Sequence, residues 1–257
     1  METVYHLKLT KKMLEGARFA LLPGDPQRVE KIAQYVDAKA RLMAEHREFT
    51  SWLGYLDKAP VLTVSTGIGG PSTAIVVEEL AKLGVDTFIR LGTSGAIQDY
   101  VHVRDIIITT ASVRLDGTSR HYAPLAYPAV ANYEVLHALV TAAGKLALPH
   151  HLGITASSDS FYPGQERYDT FSHYVIKRLQ GTLKEWQKLG VLNYEMESAA
   201  LFTVCNALGL RAGCITCAVI NRGVEEEGRI QPDSILRGEE HLMKVGVEAL
   251  RHLMSRS

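Results

Sequence analysis

Short apolar runs and longer amphipathic stretches alternate along almost the whole chain. The runs, bounded by Gly, Pro, Asp or Asn, predict buried strands at Arg18–Leu22, Arg41–Glu45, Trp52–Leu56, Val61–Ser65, Thr87–Leu91, Asp105–Ala111, Leu152–Ser157, Val191–Tyr194 and Arg211–Ile220. Helical spacing and end signals predict helices between them. Pro26–Val36 has Pro in its first turn and Asp25 as N-cap, and Pro71–Leu83 stops at Gly84. Asn132–Leu146, Thr182–Leu189, Glu197–Leu208 and a final Ile235–Met254 complete the set. The alternation predicts an α/β fold, a central mixed sheet with helices on both faces. With no repeat, low-complexity tract or linker, residues 1–257 read as a single domain.

Composition narrows the classes of function. With 257 residues, 46% apolar and 22% charged, the chain can bury a sizeable core. Its 28 basic and 28 acidic residues balance, which leaves no electrostatic footprint for nucleic acid or an anionic membrane. A small anion needs only a local arginine cluster. No apolar run is long enough for a membrane-spanning helix, and Met1–Lys12 lacks a signal-peptide core, so the expected location is the cytoplasm. Cys214 and Cys217 form a C-x-x-C spacing inside an apolar run, with no second pair or nearby His. They and Cys205 read as core thiols, not a zinc set.

In sheets of this kind ligand sites gather at the carboxyl ends of strands. The segments there are Pro23–Pro26, Ser65–Gly70, Arg90–Gly95, Ser157–Arg167, Glu195–Glu197 and Asn221–Arg222. Gly24, followed by Arg28, and Gly67, Gly69 and Gly70 open helices, where backbone N–H groups and the helix dipole favour an anion. Neither loop is a P-loop or a dinucleotide fingerprint, so no nucleotide cofactor is expected. Arg90 lies inside an apolar run and needs a partner: either a structural carboxylate or a bound phosphate beside Gly92-Thr93-Ser94-Gly95. Gln165 and Arg167, in a Gly/Pro-rich loop, offer the donors and acceptor that suit one edge of a planar heterocycle such as uracil, or else form a solvated loop. Glu195 and Glu197 flank Met196 at a strand end. They read as ligands for a sugar diol with Met196 against the ribose, or as acids favouring a helix N-terminus.

Taken together, Leu22–Pro26, Ser65–Ser72, Arg90–Gly95 and Asn193–Glu197 resemble the nucleoside phosphorylase family of the trimeric and hexameric type. Ser157–Asp169 resembles its uridine phosphorylase branch. The resemblance runs from about Tyr5 to the last helix. It implies a partly closed barrel within the sheet, flanked by helices, and reversible phosphorolysis of uridine, with deoxyuridine as a second substrate, to uracil and α-ribose 1-phosphate with inversion, a salvage reaction. It implies that Gly24, Arg28, Arg90 and Thr93 hold phosphate, joined by Arg47 from a neighbouring subunit, and that His6 crosses the same interface to the ribose. Met196, Glu197 and nearby Glu195 meet the ribose, Phe161 stacks on the base, and Gln165 and Arg167 read its edge with Arg222 near a carbonyl. Phosphate is then a substrate and no organic cofactor is needed. Glu48, Ile68 and Ser72 are similar to positions that hold a monovalent cation, K⁺, at a dimer interface. The implied assembly is a homohexamer, a trimer of dimers with shared active sites. Bacterial purine enzymes of the family carry an Asp after the late strand, where this chain reads Val219-Ile220-Asn221-Arg222, which favours a pyrimidine. Residues 223–228, acidic and glycine-bearing, read as a flap or a solvated turn. The rival readings are a purine nucleoside phosphorylase, a hydrolytic nucleosidase and a non-catalytic nucleoside-binding protein.

Overall fold

A computed structural model describes residues 3–224 and 232–255. The flap expected at 223–228 therefore lies, from residue 225 on, outside the described residues. The strands are β1 (Phe19–Pro23), β2 (Arg41–His46), β3 (Phe49–Leu56), β4 (Ala59–Val64), β5 (Thr87–Ala96), β6 (Ile106–Leu115), β7 (Ala129–Val130), β8 (His150–Ser158), β9 (Val191–Glu195) and β10 (Arg211–Asn221). The helices are α1 (Val29–Val36), α2 (Gly70–Leu83), α3 (Tyr133–Lys145), α4 (Thr182–Lys188), α5 (Ser198–Ala207) and α6 (Pro232–Met254). The mixed sheet runs in the order β10-β6-β8-β9-β5-β1-β4-β3-β2, and β10 also pairs with β5. That extra pairing closes β5, β10, β6, β8 and β9 into a barrel, as the family resemblance implied. Among the described residues no helix is long and apolar enough to cross a membrane.

Both faces of the sheet are covered, so its central strands are apolar on both sides. Along β1, Ala20 and Leu22 join a core with α2 and α5, while Phe19 and Leu21 join a second core with α1, α3 and α6. Along β5, Phe88 packs in the first core and Ile89 and Leu91 in the second. The period of two places Arg90 on the Phe88 side, in the layer of α2 and α5.

Three expectations change in detail. Pro26–Val36 is a 3₁₀ turn, Pro26–Arg28, followed by α1; Asp25 does cap it, accepting from the Gln27 N–H at 2.9 Å. Arg90–Gly95, read as a post-strand segment, lies within β5, because its register with β10 continues from Thr87↔Arg211 past a bulge to Ala96↔Asn221. The strand continues because its polar residues have partners. Ser94 meets Thr216 at 2.9 Å, Thr216 accepts from Asn193 at 3.1 Å, and Asn193 accepts from Thr155 at 2.8 Å. Thr155 in turn meets Thr109 at 2.8 Å. All are buried, and each barrel strand supplies one residue of this chain of hydrogen bonds. Finally, β7 and the 3₁₀ turns at Thr118–His121, Pro163–Gln165 and Lys177–Leu179 had no predicted counterpart; each is too short to show a period.

The three cysteines are free and buried, as expected. Burial pushes their thiols up, Cys217 to about 12, so they are neutral core groups. Gly213, opposite Ile89 in β10, lets α3 approach: a Cβ there would lie 2.5 Å from Val135 Cγ1. Gly213→Val is expected to lose about 1–3 kcal/mol to overpacking. A urea midpoint equal to the parent's would contradict this packing of α3 on the sheet.

Candidate active site

Strands β4, β1, β5 and β10 are mutually parallel, so their carboxyl ends share one edge of the sheet. The Gly24 turn, the Ser65–Gly70 loop and the last residues of β5 and β10 meet there. Strand β9 runs antiparallel to β5, with Tyr194 opposite Gly95, so the chain leaving β9 travels back along β5 towards Arg90. Strand β8 lies parallel beside β9 and delivers the 159–167 loop to the same edge. The result is a cleft of about 660 Å³ lined by Gly24, Arg28, Glu48, Ile68, Arg90, Thr93, Phe161, Gln165, Arg167, Glu195, Met196 and Glu197, with Asp25, Ser94, Val219 and Ile220 among the other lining residues.

Arg90 is buried, and its Nε donates to Glu195 at 3.2 Å while Nη2 donates to Glu197. Burial opposes the charge, but Glu197 and then Glu195 outweigh it, so the guanidinium pKa lies above the ordinary arginine value. The third nitrogen, Nη1, is buried with no partner among the described residues. It lies 3.8 Å from where a Cβ on Gly24 would stand. Both readings of Arg90 thus apply: it is held by structural carboxylates and keeps one donor facing the cleft. Gly92, two residues along the same face, makes room for it, since a Cβ there would be 2.9 Å from Nη2.

The two glutamates differ. Glu195 accepts from the N–H groups of Glu197 and Ser198 at 2.9–3.0 Å and from Ser198 Oγ at 2.6 Å, so it caps α5 as well as pairing Arg90. This is the helix-start reading, and it leaves Glu195 less free to hold a diol than the i, i+2 spacing implied. Glu197 accepts from Gly69 N–H at 2.6 Å and from Arg90. Burial pushes its carboxyl above the ordinary range, against the pull of Arg90.

Arg28 reaches into the cleft from the turn before α1, its Nε 3.5 Å from Glu239 on α6. Burial lowers its pKa, with Glu239 opposing. At the far end the Arg167 guanidinium stacks 4.2 Å over the Phe161 ring, and its buried Nε has no partner among the described residues. Gln165 is buried and its side-chain amide has no protein partner among the described residues. Arg222 does not line the cleft. It stands behind Gln165 and Glu166, donating to their carbonyls at 2.7 and 3.2 Å. Burial and then the Arg167 charge press its pKa down. The two guanidinium groups favour negative charge at this end, with Asp169 acting on both in the opposite sense.

Two expected residues stay apart from the cleft within this chain. Arg47 is exposed in the β2–β3 turn, with φ 58°. His6 lines a separate cavity of about 700 Å³ with Glu79, Lys82, His121 and Asp159. Glu79 anchors it, accepting from His6 N–H at 2.9 Å, Leu7 N–H at 2.8 Å and, at 2.7 Å, meeting His6 Nδ1. Glu48, Ile68 and Ser72 do come together around Gly67: a Cβ on that residue, at φ 68°, would meet Glu48 Cγ at 2.7 Å and Ser72 Oγ at 3.4 Å. The Ser72 hydroxyl donates towards the Ile68 carbonyl at 3.1 Å. Sequence reasoning missed Glu239, whose partner Arg28 lies at the other end of the chain, and Glu166, whose partners begin the next helix, and read Gly92 as a loop glycine.

Fold and cleft define the class: the chain belongs to the Phosphorylase superfamily, whose family model matches residues 18–250. It is 54% identical over 251 residues to the uridine phosphorylase of Escherichia coli strain K12, covering 98% of each chain. It is also similar to the uridine phosphorylases of Haemophilus influenzae, at 53% over 255 residues with 99% of this chain and 100% of the relative covered, and of Thermococcus kodakarensis, at 46% over 249 residues with 97% and 86% covered.

Two outcomes follow from this geometry. Arg90→Met leaves Glu195 and Glu197 buried without their counter-charge and is expected to destabilise the protein by about 3–5 kcal/mol; a denaturation midpoint within error of the parent's would refute the pairing. At Glu79, burial works against ionisation, but the Leu7 and His6 N–H donors prevail, and the folded pKa lies below the ordinary value of 4.5. A depressed acid stabilises the fold above its unfolded pKa and loses that contribution as pH falls through the folded one. The protection of the Leu7 amide, its exchange rate set against the intrinsic rate at the same pH, is therefore expected to fall on acidification below about pH 4.5, and Glu79→Gln to show reduced protection already at neutral pH.

Proposed function

We propose that this protein is a uridine phosphorylase: it cleaves uridine with phosphate to uracil and α-ribose 1-phosphate. The observation that carries the reading is the single cleft that joins an unpaired Arg90 nitrogen and Arg28 at one end to Gln165 and the Phe161–Arg167 stack at the other. Phosphate lies between the Gly24 turn, Arg28, Arg90 and Thr93. Met196 and Glu197 take the ribose between the two ends, with Glu195 holding Arg90 in place. Phe161 stacks on uracil, and Gln165 and Arg167 read its edge.

Phosphate is already an anion, so no protein base is needed to activate it. Held beneath C1′, it is spared the entropic cost of a bimolecular encounter. The C1′–N1 bond breaks towards an oxocarbenium-like ribosyl cation, as in other glycosyl transfers. The electron pair leaves with uracil, whose ring carbonyls carry the charge and are met by Gln165 and Arg167, with Arg222 adding its field from behind. The phosphate oxygen bonds C1′ on the face opposite the base, and the configuration inverts. Uracil takes up at N1 the proton that the hydrogen phosphate gives up on becoming an ester, so the step balances without a protein acid.

The active unit is a homo-oligomer, a hexamer built as a trimer of dimers, in which a second copy brings Arg47 to phosphate and His6 to ribose. The exposure of Arg47 on a turn and the absence of His6 from its own chain's cleft support this. Glu48, Ile68 and Ser72 offer a carboxylate, a carbonyl and a hydroxyl, an all-oxygen set that suits a hard monovalent cation such as K⁺. One chain supplies too few ligands to enclose such an ion, so a second copy completes the shell. Three buried, neutral thiols are in keeping with a reducing compartment, the cytoplasm.

Uracil release from uridine is measured with and without phosphate, with inosine in parallel. Release that requires phosphate, with inosine inert, is the expected result, and Arg167→Ala is expected to lose about 3–4 kcal/mol of transition-state stabilisation. Release without phosphate would make the protein a nucleosidase, inosine turnover would move it to the purine branch, and no turnover would leave a binding protein.

A further inference from the structure

We propose that Glu166 is a positioning residue for the base: it sets Gln165 and Arg167 by clamping their loop to the start of α4. The inference rests on the reading of Gln165 and Arg167 as the groups that meet uracil.

Glu166 sits between those two residues and faces the other way. Its backbone is left-handed, φ 51° and ψ 48°, at the end of the 3₁₀ turn Pro163–Gln165. Its N–H donates to Pro163 at 3.1 Å, and the Arg167 N–H donates to Tyr162 at 2.8 Å. This kink leaves Gln165 and Arg167 on the cleft while the carboxylate of Glu166 reaches α4. There Oε2 accepts from the Leu183 N–H at 2.7 Å and from Thr182 Oγ1 at 3.5 Å. Oε1 accepts from the Gly181 N–H and from the Tyr168 hydroxyl at 3.2 Å. Helix α4 has no cap of its own, because the residue before it is Gly181, so the carboxylate that satisfies its first N–H groups comes from the base-reading loop. On the other side the Glu166 carbonyl is gripped by Arg222 at the end of β10.

The loop is therefore fastened twice at one residue, by its carbonyl to β10 and by its carboxylate to α4. Between the two halves of the clamp the chain passes through 168–180, where Tyr168, Phe171 and Tyr174 are exposed and pack on no core. A left-handed backbone at a glutamate persists only where its surroundings hold it. Releasing the carboxylate frees the kink, and Gln165 and Arg167 lose their aim together while the strand-borne phosphate end stays as it is.

The test compares parent, Glu166→Asn and Glu166→Gln in both directions of the reaction. Asparagine tolerates the left-handed backbone but is too short to reach α4. Glutamine keeps the length and one acceptor oxygen, and it carries the comparison should the asparagine variant fail to fold. Glu166→Asn is expected to lower kcat/KM for uridine by roughly ten- to a hundredfold, the scale of a misplaced contact, and to raise KM for uracil in the reverse direction. KM for phosphate and for ribose 1-phosphate should stay within about twofold, with Glu166→Gln intermediate. A loss confined to kcat in proportion to active protein, or equal changes in KM for all four substrates, would reduce Glu166 to a structural cap and overturn the proposal. So would unchanged uridine kinetics in a parent that is active. A parent that releases no uracil with phosphate would instead remove the functional reading, and the clamp's role with it.

Discussion

The site depends on one buried charge. Arg90 stands in the middle of a sheet between two apolar layers, where an unpaired guanidinium is untenable. Its counter-charges cannot come from β5 or from its parallel neighbours, which present apolar or small residues at that level. They come from the one strand that pairs antiparallel with β5, because only β9 sends its chain back along the arginine. The motif Glu195-Met196-Glu197 is thus first a solution to a burial problem. Glu195 balances Arg90 and caps α5, and Glu197 balances Arg90 and ties down Gly69. What remains is one guanidinium nitrogen without a partner among the described residues, on the cleft side of the arginine.

The barrel makes that arrangement rigid. Its five strands are joined by backbone pairing and by a buried chain of hydroxyl and amide groups running through Ser94, Thr216, Asn193, Thr155 and Thr109. Such a network fixes register, because a slip of one residue would turn every polar group of a strand away from its partner. Thr93 and Glu195 neighbour members of that network by one and two residues. The Arg90 end of the cleft therefore inherits the precision of the barrel, as groups borne on strands do more readily than groups borne on loops.

Much of this was legible in the chain, for reasons that can be named. Strand and helix positions followed from periods of two and 3.6, and errors gathered where polar residues occupy strand interiors: β5 was cut at Leu91 because Gly92-Thr93-Ser94-Gly95 looks like a loop. The partners that make it a strand lie on other strands and carry no local signal. Arg90 could be singled out as a buried charge, but its two partners lie more than a hundred residues away, so structural pairing and ligand binding could not be separated; the hydrogen bonds show the pairing with Glu195 and Glu197. The capping role of Glu195, by contrast, is displayed only by the hydrogen bonds. Glu166 passed unnoticed between Gln165 and Arg167, since an exposed-looking glutamate in a polar loop has no distinguishing pattern. His6 and Arg47 were read from family resemblance alone, and in the single chain they stand apart from the cleft.

The two ends of the cleft are consequently built on different principles. On the proposed reading one end of the cleft meets an anion whose chemistry is constant; Arg90 and Thr93 sit there on β5, locked by the barrel, and Arg28 joins them from the turn before α1. On the same reading the other end must discriminate between bases, and its groups sit on the loop after β8, which pairs with no strand among the described residues. A loop can change length and sequence without disturbing the barrel, so variation in the recognised base belongs there. The same freedom would blur recognition unless the loop were fastened. The stack of Arg167 on Phe161, the grip of Arg222 on the Gln165 and Glu166 carbonyls, and the Glu166 carboxylate on α4 supply the fastening. Each ties one backbone or side-chain group of the 161–167 segment to a different support, so the aim of Gln165 and Arg167 is shared among contacts that the barrel itself does not make.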